Sequence, residues 1–119
     1  MKKEEKELLF KDLCGRLPYR VKVKTEDGKY PLPFTPFHLD FYKHNIEDIK
    51  PYLFPLSSMT EEQKEIYCKL QDKVIYNSKG PTTEDILVLT NWLDENMFDW
   101  IGLIPIGLAI DATGLNIYN

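Results

Sequence analysis

The chain has 119 residues, of which 43% are hydrophobic, 29% charged and 13% aromatic. That is enough for one modest core, and it excludes a multidomain machine, a collagen-like fibre, a coiled-coil rod and a disordered segment. A formal net charge of −4 disfavours a broad grip on nucleic acid, which draws its strength from Lys and Arg neutralising phosphates.

The charge is unevenly spread. Residues 1–30 carry nine basic and six acidic side chains, residues 31–80 six and seven, and residues 81–119 none and six, with no Lys or Arg after Lys79. Either the basic beginning and the acidic end are merely solvated or neighbours in the fold, or the acidic third faces a basic partner.

Residues 3–14 read as a first helix. Leu9 and Leu13 stand four apart, Phe10 widens the stripe, and Glu4, Glu5 and Glu7 suit the positive end of the helix dipole. Gly15 is expected to stop it as a left-handed C-terminal residue. Arg20 to Thr25 then alternates polar and apolar, as a strand with one wet face does. Glu26-Asp27-Gly28-Lys29 predicts a tight turn, and a return strand from about Tyr30 is limited to an edge by Pro31, Pro33 and Pro36. Phe37, Leu39 and Phe41 alternate with His38, Asp40 and Tyr42, which predicts a third strand and a small antiparallel sheet over residues 17–45.

Pro51 and Pro55 force an extended path from Lys50 to Leu56. Thr60 with Gln63 three residues later forms a capping box opening a helix to about Tyr76, with Ile66, Tyr67, Leu70 and Val74 as its buried stripe. Asn77-Ser78-Lys79-Gly80-Pro81 should end it. Thr82 opens another helix, striped by Ile86, Leu89, Leu93 and Met97 with Trp92 beside them, and Asn96 should stop it. After it, Gly102, Gly107 and Gly114 among apolar residues predict turns or a closing strand. The expected architecture is one α+β domain over residues 1–119.

Pro51-Tyr52-Leu53-Phe54-Pro55-Leu56-Ser57-Ser58-Met59-Thr60-Glu61-Glu62 resembles a segment of short proteins of no assigned activity from gut Bacteroidetes and their phages or prophages. Leu17-Pro18-Tyr19, the stretch from Phe98 to Ile104 and Gly107-Leu108-Ala109 resemble them too, so the likeness spans most of the chain in blocks. It implies a bacterial or phage setting and carries over no catalytic residue.

Four groups of residues are candidates for function. His38, Asp40 and His44 are the one tight group of metal-ligand types; on a strand they would share a face and could hold zinc or iron, or else be solvated polar residues. Cys14 and Cys68 lie on helical patterns that suit inert buried thiols, although either could pair with His38 or His44 as a nucleophile. Arg20, Lys22 and Lys24 line one strand face near Tyr19 and Tyr30, where single-stranded nucleic acid could stack and be neutralised. Trp100, Ile101, Ile104 and Ile106 concentrate large apolar side chains in a glycine- and proline-broken stretch, as core or as an interaction surface.

No phosphate-binding glycine motif occurs, and no cofactor is expected. The carboxylates cluster at helix ends and on polar faces. The weakly charged stretch from Trp100 to Ile110 is too short to cross a bilayer, and the first residues lack the apolar run of a secretory signal, so a cytoplasmic, reduced setting is expected. Together these readings favour a non-enzymatic protein-interaction or assembly module, with a protein partner or self-association. The alternatives are a small nucleic-acid binder using the basic strand face and a metal-dependent enzyme.

Overall fold

The computed structural model describes residues 1–26, 28, 30–42, 44–76 and 79–118. These build α1 (Lys3–Arg16), β1 (Lys22–Lys24), β2 (Leu32–Pro33), α2 (Pro36–Tyr42), β3 (Lys50–Leu53), α3 (Glu61–Ile75), α4 (Thr83–Glu95) and β4 (Ile110–Asp111), an α+β fold as the sequence predicts.

α1 forms where Leu9 and Leu13 require it, but it runs past Gly15. It continues to Arg16, tightens into a 3-10 turn over Leu17–Tyr19, and ends on Arg20, whose φ of 61° is left-handed. Gly15 serves close approach instead of termination, because a Cβ there would lie 3.1 Å from Oδ2 of Asp94 on α4.

Strand order is β2-β1-β3-β4. β1 pairs antiparallel with both β2 and β3, whereas β4 joins β3 in parallel. Only β1 and β2 therefore come from the region where an antiparallel sheet is expected. The extended segment between Pro51 and Pro55 supplies the inner strand β3, since Pro51 and Leu53 alternate inward into the core as period-2 side chains must. Two of the residues in the expected turn, Asp27 and Lys29, lie outside the described residues, as do Asn77 and Ser78 of the expected α3 terminus.

The third expected strand is a helix. Pro36 occupies the first position of α2, where its fixed φ is already helical and its missing amide costs nothing. His38 Nδ1 accepts the Thr35 amide at 3.1 Å and meets the Thr35 hydroxyl at 2.9 Å, closing the first turn. Phe37 and Phe41, read as alternate strand positions, are also four apart, and their rings stack at 5.9 Å on the helix surface.

Leu9 and Leu13 of α1, Val21 and Val23 flanking and within β1, Ile49 and Leu53 near β3, and Leu103 of the tail have no exposed surface and form the centre of the core. Met59, Leu93 and Phe98 make a smaller cluster at the base of α4. Both capped starts are present: Thr60 and Gln63 bond reciprocally, and the Thr82 hydroxyl accepts the Asp85 amide at 3.1 Å. α4 ends at Asn96, whose Nδ2 donates to the Trp92 carbonyl, followed by Met97 at φ 59°.

α3 departs from its expected role. None of its residues is buried, and Ile66 is 44% exposed. The reason is that α3 packs chiefly on α4, with Tyr67 stacked on Trp92 at 6.3 Å between ring centroids, so one layer of partner covers only part of its stripe. Leu93 of α4 and Met97 just beyond it are buried, while Ile86, at the far end of the helix, stays exposed. The helical hairpin is thus an arm extending from the body, and the molecule measures 49 × 30 × 24 Å. The three tail glycines adopt positive φ; Gly102 and Gly107 turn the chain back to β4, and Gly114 lies beyond it. Among the described residues no helix is long and apolar enough to cross a membrane.

Candidate interaction surface

A buried charged cluster holds α1, α4 and the tail together. Arg16 is fully enclosed; its Nε donates to both carboxylate oxygens of Asp12 at 3.0 Å, and its Nη2 donates to the Phe98 carbonyl at 2.6 Å. The same nitrogen lies 3.7 Å from Asp94 Oδ1, while Nη1 has no hydrogen-bond partner among the described residues. Burial pushes the Asp12 carboxyl up to about 6, outweighing the attraction of Arg16, and Asp94 and Asp99 push the same way because like charges disfavour a further anion.

The tail is pinned to this cluster. Asp94 Oδ1 accepts the indole N–H of Trp100 at 2.8 Å. The buried Asp99 carboxylate accepts the amides of Gly102, Leu103 and Ile104 at 3.0, 2.8 and 2.9 Å. These bonds fix a turn that leaves the Trp100 ring part-exposed beside a cleft of about 480 Å³, lined by Leu8, Lys11, Asp12, Asp94, Trp100 and Ile101. Of the four apolar tail residues singled out from the sequence, Trp100 and Ile106 are exposed, while Ile101 and Ile104 pack against the core.

Further exposed apolar side chains lie on the arm. Ile66, Ile75 and Tyr76 of α3 and its cap, with Ile86, Leu87 and Val88 of α4, are between 42% and 78% exposed. The sequence holds a signal for this. Three consecutive aliphatic residues on a helix point about 100° apart each and cannot share one buried face, so Ile86-Leu87-Val88 must present apolar surface outward.

The other candidates are dispersed. Arg20 lies in the turn before β1, Lys24 is exposed, and the Lys22 ammonium donates to the Ile117 carbonyl and sits 5.9 Å from the centroid of the Tyr118 ring. Lys22 and Lys24 keep one face of β1, but Arg20 lies outside the strand, so the expected row of three is not formed. His38 and Asp40 sit two apart on a helix instead of a strand, so they do not share a face. His44 lines a separate cleft with Lys6, Phe10 and Ile46. Among the described residues no three metal-ligating side chains gather.

Cys14 is half-buried, with burial raising its thiol, but Cys68 is exposed on the outside of α3, contrary to the expectation of a buried thiol, because that helix packs chiefly on α4. A further cleft of about 450 Å³ is lined in part by Tyr19, Phe54, Glu95, Asn116 and Tyr118. The Tyr118 hydroxyl accepts the Lys22 amide at 2.8 Å and donates to the Tyr52 carbonyl at 2.7 Å, and burial raises its pKa above the usual phenol value. It is a neutral tie between tail and sheet.

A small α+β domain with a projecting helical hairpin is the class that this geometry defines. No protein-family model matches the chain, and no curated protein or solved structure matches it either.

Proposed function

We propose that the chain is a non-enzymatic interaction module, working inside a bacterial or phage-infected cell, that docks through the outer surface of its α3–α4 arm. One observation carries this reading: six large apolar side chains stand part-exposed on two helices that pack chiefly on each other. Soluble domains seldom leave such a concentration uncovered unless something binds it. Capped helix starts and the Tyr67–Trp92 stack give the arm a preformed shape, which lowers the ordering cost of docking.

A photo-crosslinking amino acid replacing Leu87 in the full chain, expressed in a bacterial host, tests the reading. A discrete adduct is expected from Leu87 and not from an exposed polar position such as Lys2. Illumination that gives no adduct at Leu87, Val88 or Ile75 would overturn it.

A further inference from the structure

We infer that the cleft of about 450 Å³ beside Tyr19 and Phe54 binds a neutral saccharide. The site is separate from the arm, and the inference stands whether or not the arm docks a partner.

Its position follows from the sheet. β4 runs parallel to β3, and Phe54 and Phe98 form a parallel bridge just past the end of β3. Three chain segments therefore run the same way. Phe54, Phe98 and Ala112, at or just beyond the carboxyl ends of these segments, all line the cleft. Crevices outside the carboxyl ends of parallel strands are where open sheets commonly hold ligands. The volume also falls within the roughly 300–1,000 Å³ of small-molecule sites.

The lining is prepared for hydroxyl groups. Three of its side chains are each held by one internal bond that leaves further bonding capacity free. Ser58 donates its hydroxyl to the Pro55 carbonyl at 2.7 Å and keeps its lone pairs. Gln63 Oε1 accepts the Thr60 amide at 2.9 Å, which leaves the Nε2 hydrogens. Asn96 Nδ2 donates to the Trp92 carbonyl at 2.9 Å, which leaves Oδ1. The Tyr19 hydroxyl and the Glu95 carboxylate have no partner among the described residues. Donors and acceptors thus stand side by side, and a sugar hydroxyl is the ligand group that serves both. Because internal bonds already hold three of them, little further ordering is needed on binding.

Charge and ring geometry argue against the other common ligands. Among the described residues no Lys, Arg or His lines the cleft. Lys22 beside it donates to the Ile117 carbonyl, and Arg16 is fully buried on the Phe98 carbonyl. A phosphate or carboxylate would meet no free cation and would face Glu95. An organic cation would find a single carboxylate, on an exposed residue where water and salt screen it. The Phe54 ring stands at 61° to Phe98 and 58° to Tyr118. These rings make a corner, and not the parallel slot that sandwiches a flat base. A chair-shaped sugar needs only one ring face, which attracts the partial positive charge of its C–H groups.

Titration of the full chain with cellobiose, maltose, lactose and chitobiose, each to tens of millimolar and read by amide NMR, tests the site. At least one is expected to give saturable shifts concentrated at Asn96, Gly114 and Asn116. Tyr19→Phe should weaken that binding roughly fivefold, the loss of one hydrogen bond. Glu95→Gln should weaken it roughly threefold, since an acceptor remains. Both variants should keep the circular dichroism of the wild type. Leu87→Glu, on the arm, should leave sugar binding unchanged, so failure of the arm and failure of the cleft are told apart. No saturable shift with any of the four sugars, or an affinity indifferent to both Tyr19→Phe and Glu95→Gln, would sink the inference. So would tighter binding of adenosine or spermidine at the same amides, which would assign the cleft to a base or to a cation.

Discussion

Arg16 and Asp12 lie one turn apart on α1, both out of solvent, with the guanidinium Nε equidistant at 3.0 Å from the two carboxylate oxygens. The pair carries consequences for stability that an exposed i, i+4 pair would not, since buried charges lose hydration that their attraction only partly restores.

Asp12 should make the protein less stable as pH rises from about 4 to about 7. Its carboxyl is raised from 3.8 to about 6 in the folded state, by burial first. Between those values the folded chain binds the proton more tightly than the unfolded one, so this contribution is full below the lower value and is lost as pH passes the upper. The shift corresponds to roughly 3 kcal/mol. Urea denaturation of the wild type against Asp12→Asn across this range should show the wild type losing stability relative to the variant as pH rises, and carboxyl NMR should find a midpoint near 6. A midpoint near the ordinary carboxylate value would mean that Arg16 outweighs burial.

Replacing Arg16 by Met should cost about 3 kcal/mol or more at neutral pH, because it strands a buried carboxylate. At pH 5 the loss should be smaller, since Asp12 can then take a proton. Asp12→Leu combined with Arg16→Met should recover most of the stability. Equal losses in the single and double variants would show that the pair acts only by filling space.

Gly15→Ala ordinarily gains about 1 kcal/mol within a helix. Here the new methyl would sit 3.1 Å from the Asp94 carboxylate, which is itself held by Trp100 and close to Arg16. The substitution should therefore be neutral or destabilising in the wild type and stabilising in an Asp94→Ala background. Thermal melts of the four proteins in the cycle measure the coupling directly.

Asp99→Ala removes the acceptor of three backbone amides and should cost roughly 2–3 kcal/mol. Hydrogen exchange at Gly102, Leu103 and Ile104 should accelerate together, and the Trp100 fluorescence should change as its turn loosens. Unchanged exchange at these amides would show that the turn is held by packing alone.

The helix starts were the most legible part of the sequence. Thr60 with Gln63, and Thr82 with Asp85, act across three residues, so no distant contact is needed to read them. Residues 36–42 misled because Phe37, Leu39 and Phe41 satisfy a period of two while Phe37 and Phe41 also satisfy a period near four. Pro36 and the Thr35–His38 bonds settle the choice locally. For Trp100, Ile101, Ile104 and Ile106 the sequence left core and surface both open, since the turn that separates them is fixed by three amide bonds to Asp99.

What the amino-acid order determined by itself was local: where α3 and α4 begin, that the tail glycines turn the chain, and that no Lys or Arg stands in its last third. Tertiary structure decided which apolar residues become core. Leu9 and Leu53 are enclosed because sheet, helix and tail meet over them, whereas Ile66 and Leu87 have the same chemistry and remain outside, since α3 packs chiefly on α4 and α1 meets α4 at Asp94, about two turns from Leu87. Burial depends on how many layers arrive, and that number is set by distant parts of the chain.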